Sequence, residues 1–546
     1  TSSSRGGSET SSPKNRQRAW FDIHSAAGVM LGLAMFVVSF SGVLSLFSAY
    51  YPAWERVDLR VPPGATFDPE AALEALKVAD PDAWARLPVA SMPEAAGEAF
   101  RPSPLFFFAP TSALPFTHIR WFDGEAQESY DYYVDVRSGR VVSQAELGLR
   151  QTLVHFHTDL LLPRPFGRYL VGVLGVGFLF VIVSGVFFHR KMLGQMFVFR
   201  RSKNLRQLMA DSHKLFGAWG LLFHAMITFT GAFLGLIGVF LLVSALTVYR
   251  GDQDAAFAAV VAPTAEPAGE AAPMLPLGEI LERSRAEWPE LDPVRLTLHA
   301  YNDRMAEVVV SGPLEGRLAI GGATGSELVL SAVDGEVRRR NDWANGSIWQ
   351  RLIAWVVPLH YATFGGLVLK LAYCLLGLGS ALMSVTGLLV WLERRGGAGF
   401  RWLERLTIGV CAGQPAATAV LSAVTPWVET ASESVMHGLF VCAWLLTIIF
   451  AFRAADRRRA AGWLLSAAGV LAALAVLSDA ALGAVAGSAA WQTGSASAAG
   501  VSVFLLVFGA LSFFAGGWLL TPAPDEPASR DKARRGRAAR PASAAG

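Results

Sequence analysis

Residues 20–44, WFDIHSAAGVMLGLAMFVVSFSGVL, and residues 209–233, MADSHKLFGAWGLLFHAMITFTGAF, carry one pattern, D-x-H-x3-G-x12-[ST]-G. The first copy is Asp22, His24, Gly28, Ser41 and Gly42; the second is Asp211, His213, Gly217, Thr230 and Gly231. Each copy opens an apolar run long enough to cross a bilayer as a helix, for which about 20 residues suffice. A histidine therefore sits at the same depth in two repeated helices, where a polar ring is costly without a partner. Two such rings suggest axial ligands facing each other across a cofactor, and haem is the obvious candidate. Electron transfer through a membrane is the leading functional expectation.

Composition fixes the class. With 53% hydrophobic and 17% charged residues and a mean hydropathy of +0.38, the chain is far from a soluble domain. Eight apolar stretches qualify as spans, near 27–48, 168–188, 215–242, 366–392, 406–425, 435–452, 462–482 and 501–520. Lys14, Arg16 and Arg18, the groups from Arg190 to Arg206, Arg394 to Arg405 and Arg453 to Arg459, and the tail from Arg530 to Arg540 fall on one set of connections. The alternate short loops, 426–434 and 483–500, contain no Lys or Arg. Basic residues in short loops stay cytoplasmic, so both termini are expected inside and the two long loops outside, in a multi-pass protein of the bacterial inner membrane. The net charge of +3 is explained by topology and lipid-surface contacts, and calls for no nucleic-acid partner.

Residues 1–15 and 521–546 are Ser-, Ala- or Arg-rich, a composition expected to be disordered. The first apolar run is too long for a signal peptide and shows no convincing cleavage site. Cys374, Cys411 and Cys442 all lie in apolar runs, so neither a disulfide framework nor a CxxC pair is available. With no CxxCH motif, any haem is expected to be b-type.

The repeat is larger than the two helices. Each is followed by about 100 extramembrane residues and a returning helix that again ends in [ST]-G, at Ser184-Gly185 and Thr386-Gly387. His157 and His360 precede those glycines by 28 and 27 positions. Each long loop offers an amphipathic helix, near 68–79 and 276–287, and a hairpin, YYVDVRSGRVV turning at Ser138-Gly139 and LVLSAVDGEVRRR turning at Asp334-Gly335. The expected fold is a polytopic α-helical membrane protein of about eight spans with two small α+β modules. Its divisions are helix 1 at 16–48, module 1 at 49–165, helices 2 and 3 at 166–248, module 2 at 249–355, helix 4 at 356–395 and an accessory four-helix region at 396–520.

His24 and His213 form the expected cytoplasmic-side ligand pair, each with a nearby acidic residue that can orient the ring. His157 and His360 are the expected outer pair. His155 is the alternative to His157, since positions two apart on a helix point in different directions. His224 lies eleven residues after His213, on nearly the same face and about 16 Å further along, which suits either a second redox centre or a hydrogen-bonding residue inside the bundle. His189, in an HRK run, reads as a ligand or as an interfacial anchor. His437, His118 and His299 read as surface or local structural residues. Arg164, Arg168 and Lys370 are candidates to neutralise haem propionates or to snorkel. The repeated glycines permit close helix packing and also leave room for a flat porphyrin.

The D-x-H-x3-G starts at His24 and His213, the stretch from LHYATFGGLVLK to SVTGLLVW that carries His360, and the turns at Ser138-Gly139 and Asp334-Gly335 resemble the PepSY-associated transmembrane family over about residues 16–395. That family includes haem-containing ferric-siderophore reductases of the bacterial inner membrane. The resemblance implies two b haems held by His24, His213, His157 and His360, and a ferric siderophore as the electron acceptor. No G-x-G-x-x-G follows a strand and no nicotinamide or flavin domain fits the short inner loops, so the electron donor is expected to be a separate cytoplasmic reductase or a quinol. Two rival readings use the same features: a siderophore or iron transporter whose histidines bind cargo, and a regulatory or assembly protein whose outer modules bind a peptide or protease.

Overall fold

The computed structural model describes residues 13–521 except 63, 86–103, 124–127, 144–146, 190–193, 195–196, 201–204, 259–264, 316–325, 344, 396–397, 429–431 and 486. The disorder expected of residues 1–12 and 522–546 lies outside the described residues. Pro13 to Asn15, also expected to be disordered, already belong to the first helix.

Within the repeat, the first half runs α1 (Pro13–Ser45), α2 (Pro69–Ala79), strands β1 to β4, α3 (Gly148–Asp159) and α4 (Phe166–Phe188). The second half runs α5 (Leu205–Trp219), α6 (Leu221–Thr247), α7 (Leu277–Glu287), strands β5 to β8, α8 (Ile348–Tyr361) and α9 (Gly366–Arg395). The last part holds α10 (Arg401–Cys411), α11 (Gly413–Val424), α12 (Glu433–Arg453), α13 (Arg457–Val485) and α14 (Ala496–Leu520). Among the described residues, eight helices are long and apolar enough to cross a membrane, and they match the eight apolar stretches of the sequence. Two of them are jointed. The span expected over 215–242 breaks at Gly220, between α5 and α6, and that over 406–425 breaks at Ala412. The division expected at residue 356 falls inside α8, which continues to Tyr361 before α9 begins.

The strands are β1 (Leu105–Phe108), β2 (Thr117–Asp123), β3 (Glu128–Asp135), β4 (Arg140–Ser143), β5 (Arg295–His299), β6 (Glu307–Gly312), β7 (Ser326–Ser331) and β8 (Val337–Asn341). Each module is an antiparallel meander, and both expected hairpins are present. Gly139 and Gly335 sit at their turns with φ of 68° and 74°, a backbone region that glycine enters without strain. The modules are not two separate bodies flanking a cleft. β1 pairs antiparallel with β5, Phe106 opposite Thr297, giving one sheet in the order β4-β3-β2-β1-β5-β6-β7-β8. Leu105, Phe107, Leu296 and Leu298 from the two central strands join Leu76 of α2 and Ile280 of α7 in a common apolar core. Glu70 on α2 also accepts the Leu277 N–H at the start of α7 at 2.6 Å. Apolar burial drives the fusion, because each four-stranded half has an edge that only the other half covers.

Below the sheet, α1 packs against α4 and α9, α4 against α6, and α5 against α9. The last five helices dock on this core through an apolar cluster that includes Phe36 and Phe40 of α1, Phe156 of α3, Phe440 of α12 and Leu505 of α14. A buried ion pair adds to that contact: Asp479 of α13 meets the Arg60 guanidinium, which also donates to the Ala53 and Trp54 carbonyls at 2.9 and 2.8 Å. A buried carboxylate of this kind requires such a partner.

Candidate histidine-paired sites

Two cavities lie inside the helical core. The one toward the sheet is lined by His157, His360, Gly42, Gly231, Arg168 and Ser380 among others. The second is lined by His24, His213, His224, His189, Gly28 and Gly217 among others. Met35 and Phe178 line both, so the cavities are neighbours.

The sequence-derived pairs meet in these cavities. The ring centres of His24 and His213 stand 6.3 Å apart, and those of His157 and His360 stand 6.2 Å apart. With a metal–nitrogen bond of about 2.0 Å and an imidazole ring of about 1.15 Å radius, two opposed rings sharing one metal have centres about 6.3 Å apart. Both pairs have that spacing.

One local device seats all four rings. His24 Nδ1 lies 3.0 Å from the Val181 carbonyl on α4, and His213 Nδ1 lies 2.8 Å from the Met383 carbonyl on α9. His157 Nδ1 lies 3.0 Å from the Val38 carbonyl on α1. His360 Nδ1 lies 3.0 Å from Thr230 Oγ1 and also engages the Ile227 carbonyl on α6. Each carbonyl belongs to the residue three before a [ST]-G pair, and the Ser or Thr hydroxyl donates to that same oxygen: Ser184 to Val181, Thr386 to Met383, Ser41 to Val38 and Thr230 to Ile227. The following glycine leaves room for the ring. A Cβ at Gly42 would stand 2.8 Å from His157 Cε1; one at Gly185 would stand 3.1 Å from His24 Cε1, and those at Gly231 and Gly387 would stand 3.0 Å from the Cε1 of His360 and His213.

A carbonyl can only accept, so Nδ1 carries the proton and Nε2 keeps its lone pair. That tautomer is the one a metal-binding histidine uses. Among the described residues, Nε2 of these four rings makes no hydrogen bond.

Several expectations are revised. Orientation does not come from the acidic residue of the D-x-H motif, since the buried Asp211 is held by Arg200 at 3.0 Å and Lys214 at 2.7 Å. The [ST]-G glycines accommodate imidazole edges, whereas Gly28 and Gly217 face cavity space. A Cβ on Gly28 would have nothing within 4 Å. His224 does not continue the face of His213, because the chain breaks at Gly220. Its ring folds over that glycine, donates from Nε2 to the Phe216 carbonyl at 3.1 Å and accepts from Ser380 Oγ at Nδ1 over 2.7 Å. Both nitrogens are committed. His189 caps the C-terminal end of α4 and lines the second cavity, with no histidine partner among the described residues.

His155 points away from the cavity toward Glu433, which leaves His157 on the cavity side. Of the anticipated cations, Arg168 alone of the three lines a cavity, donating to the Leu234 carbonyl at 3.3 Å, while Arg164 pairs with Asp159 and Lys370 donates to the Leu46 carbonyl. Lys214, not singled out in the sequence, lines the other. The remaining module histidines are structural. His118 bonds Asp131 and stacks between Phe108 and Tyr133, and burial with Arg295 nearby pushes His299 down to about 4.

The fold is thus a polytopic helical membrane protein with a duplicated, histidine-paired core and a fused pair of α+β modules. The chain belongs to the family described as PepSY-associated TM region, which matches residues 21–394. It is also 31% identical over 281 residues to the Uncharacterized protein PA4219 of Pseudomonas aeruginosa, covering 49% of this chain and 70% of that one. The family match ends where α9 ends, so α10 to α14 lie outside it.

Proposed function

We propose that this chain is a di-haem b oxidoreductase of the bacterial inner membrane, passing electrons to a ferric siderophore on the sheet side and so releasing ferrous iron. The observation that carries this reading is the doubled pair of histidines with ring centres 6.2–6.3 Å apart, each with Nδ1 tied to a helix. Haem supplies one-electron redox chemistry when bound, with its potential set by ligands and surroundings.

The residues of this chain hold and insulate it. His24 and His213 ligate on the side of the termini, and His157 and His360 ligate on the sheet side. Val181, Met383, Val38 and Ile227 fix the ring orientations, and Gly28 and Gly217 leave a flat wall. Arg168 and Lys214 offer positive charge to the carboxylates of a bound porphyrin. The adjacency of the cavities through Met35 and Phe178 provides a path from one side of the core to the other. The distribution of Lys and Arg argues that the sheet faces the periplasm. Ferric iron held by hard oxygen donors gains one electron there, and the ferrous ion binds them less tightly. A separate reductase or a quinol supplies the electron on the other side.

The test is extraction with acid-acetone and pyridine haemochrome quantification of the purified chain, with about two non-covalent haems per polypeptide expected. Substituting His24 or His213 by Ala should remove one and the same haem; His157→Ala and His360→Ala should remove the other. A colourless preparation, or loss of different haems within a pair, overturns the reading.

A further inference from the structure

The side chain that turns away from the haem-ligand position meets two others from the accessory helices. His155 on α3 places Nδ1 2.6 Å from Glu433 Oε1 at the start of α12, and His437, one helical turn after Glu433, places Nε2 3.4 Å from the same oxygen. One ligand atom from each of the three residues lies within 4.8 Å of the other two. The His155 and His437 ring centres stand 5.8 Å apart. His437 Nε2 is shielded from solvent and has no hydrogen-bond partner among the described residues. A buried ring nitrogen without a partner is costly, and a lone pair on that nitrogen is what a cation would use.

We propose that His155, Glu433 and His437 form a binding site for a divalent first-row transition metal at the junction of the duplicated core with the accessory helices. The donor set argues the metal class. Two imidazoles and one carboxylate suit zinc or ferrous iron, whereas calcium and magnesium require oxygen ligands. The spacing agrees, because donors at about 2.0 Å in a tetrahedral arrangement lie about 3.3 Å apart. The 3.4 Å contact already has that length, and the 2.6 Å contact opens by under 1 Å as a metal replaces the hydrogen bond. All three side chains are partly exposed, at 28%, 36% and 23%, which leaves a fourth position and an access path open.

The site is two residues from His157 on one helix, yet its ligands do not line the haem cavity. Under the function proposed above, ferrous iron is the cation delivered to this side of the core, and the site would take it after reduction. The binding chemistry itself does not depend on that reading.

The experiment uses the full-length chain in detergent, stripped with a chelator that leaves any haem in place. Zinc is the probe, because its X-ray absorption edge is separate from that of haem iron. One zinc per chain is expected, with two imidazole ligands in its absorption fine structure. His437→Ala and Glu433→Ala should each weaken zinc binding at least tenfold while haem content stays at the wild-type value. No saturable zinc binding by the wild-type chain, or undiminished binding in variants that retain their haem, overturns the proposal. The wild-type fine structure decides the matter where a variant fails to fold. Zinc binding by a haem-free chain would uphold the metal site and remove the haem reading, so the two failures are separable.

Discussion

Ser380 Oγ lies 2.7 Å from His224 Nδ1, joining a residue that lines the sheet-side cavity to one that lines the second. The bond ties the joint between α5 and α6 to α9, because the same ring lies over Gly220 and donates to the Phe216 carbonyl, which also accepts the Gly220 N–H at 3.0 Å. His224→Ala should therefore leave haem content unchanged while lowering stability. The Phe216 carbonyl keeps the Gly220 N–H and the Ser380 hydroxyl keeps the Leu376 carbonyl, so the cost is that of two lost hydrogen bonds, about 0.5–1.5 kcal/mol each. Pyridine haemochrome and thermal denaturation on the same preparation check this, and loss of one haem in the variant would return His224 to the ligand set.

The glycines separate a packing role from a cofactor role. Gly28→Ala meets no protein atom within 4 Å and gains helix propensity of about 1 kcal/mol. In the haem-free chain it should be neutral or stabilising. The new methyl projects toward the cavity where a porphyrin would lie, so haem retention on that side should fall. Gly42→Ala is the contrasting case: its Cβ would press on the His157 ring at 2.8 Å and disturb the ligand itself. Electron paramagnetic resonance of the oxidised protein should show an altered or missing sheet-side haem signal in Gly42→Ala. Unchanged haem content and spectra in both variants would remove the cofactor from these cavities.

Much of this arrangement was legible because membrane helices write their roles in long, uninterrupted patterns. The eight apolar runs match eight candidate spans among the described residues, and the spacing from His24 to Gly42 and from His213 to Gly231 relates the two halves. The orienting carbonyls of Val38, Val181, Ile227 and Met383 were not legible, since any residue type supplies a carbonyl. Their one trace is the [ST]-G pair that recurs in the four helices α1, α4, α6 and α9, and its glycine suits close helix packing or a flat porphyrin as well as an imidazole edge. The joint at Gly220 was hidden because the residues around it are as apolar as those of an unbroken span. The pairing of β1 with β5 and the approach of His155 to His437 are contacts between distant segments, and a single sequence carries no periodic signal for them.

Glu55 predicts a pH effect on the helix that carries His157. The N-terminus of α3 has no side-chain cap from its N-cap residue, and Glu55 accepts the Leu149 and Arg150 N–H groups at 2.7 and 3.2 Å instead. Burial pushes its carboxyl up from 4.5 to about 7. The folded chain then keeps a proton that the unfolded chain releases, so stability falls as pH rises from about 4.5 to about 7, by at most about 1.4 kcal/mol per pH unit. Glu55→Gln cannot ionise and should flatten that part of the profile. Denaturation midpoints of both proteins measured across this window test the assignment, and an equal slope in the variant would place the titrating group elsewhere.

The direction of electron flow is the prediction most exposed to failure. His157 and His360 lie in the last turns of α3 and α8, the helices that lead from the sheet into the core, and the β1–β5 core joins the two modules without a cleft, so a bulky acceptor has to approach beside the fused sheet rather than through it. If the sheet-side pair is the exit, a ferric siderophore added to the chemically reduced protein should reoxidise it, and a ferrous-iron trap should develop colour at the same rate. His360→Ala should abolish both signals. His24→Ala should block reduction from the opposite side while leaving reoxidation of a chemically reduced sheet-side centre intact. Rapid oxidation by a quinone together with inertness toward a range of ferric siderophores would assign the protein to a different electron-transfer partner and refute ferric iron as its acceptor.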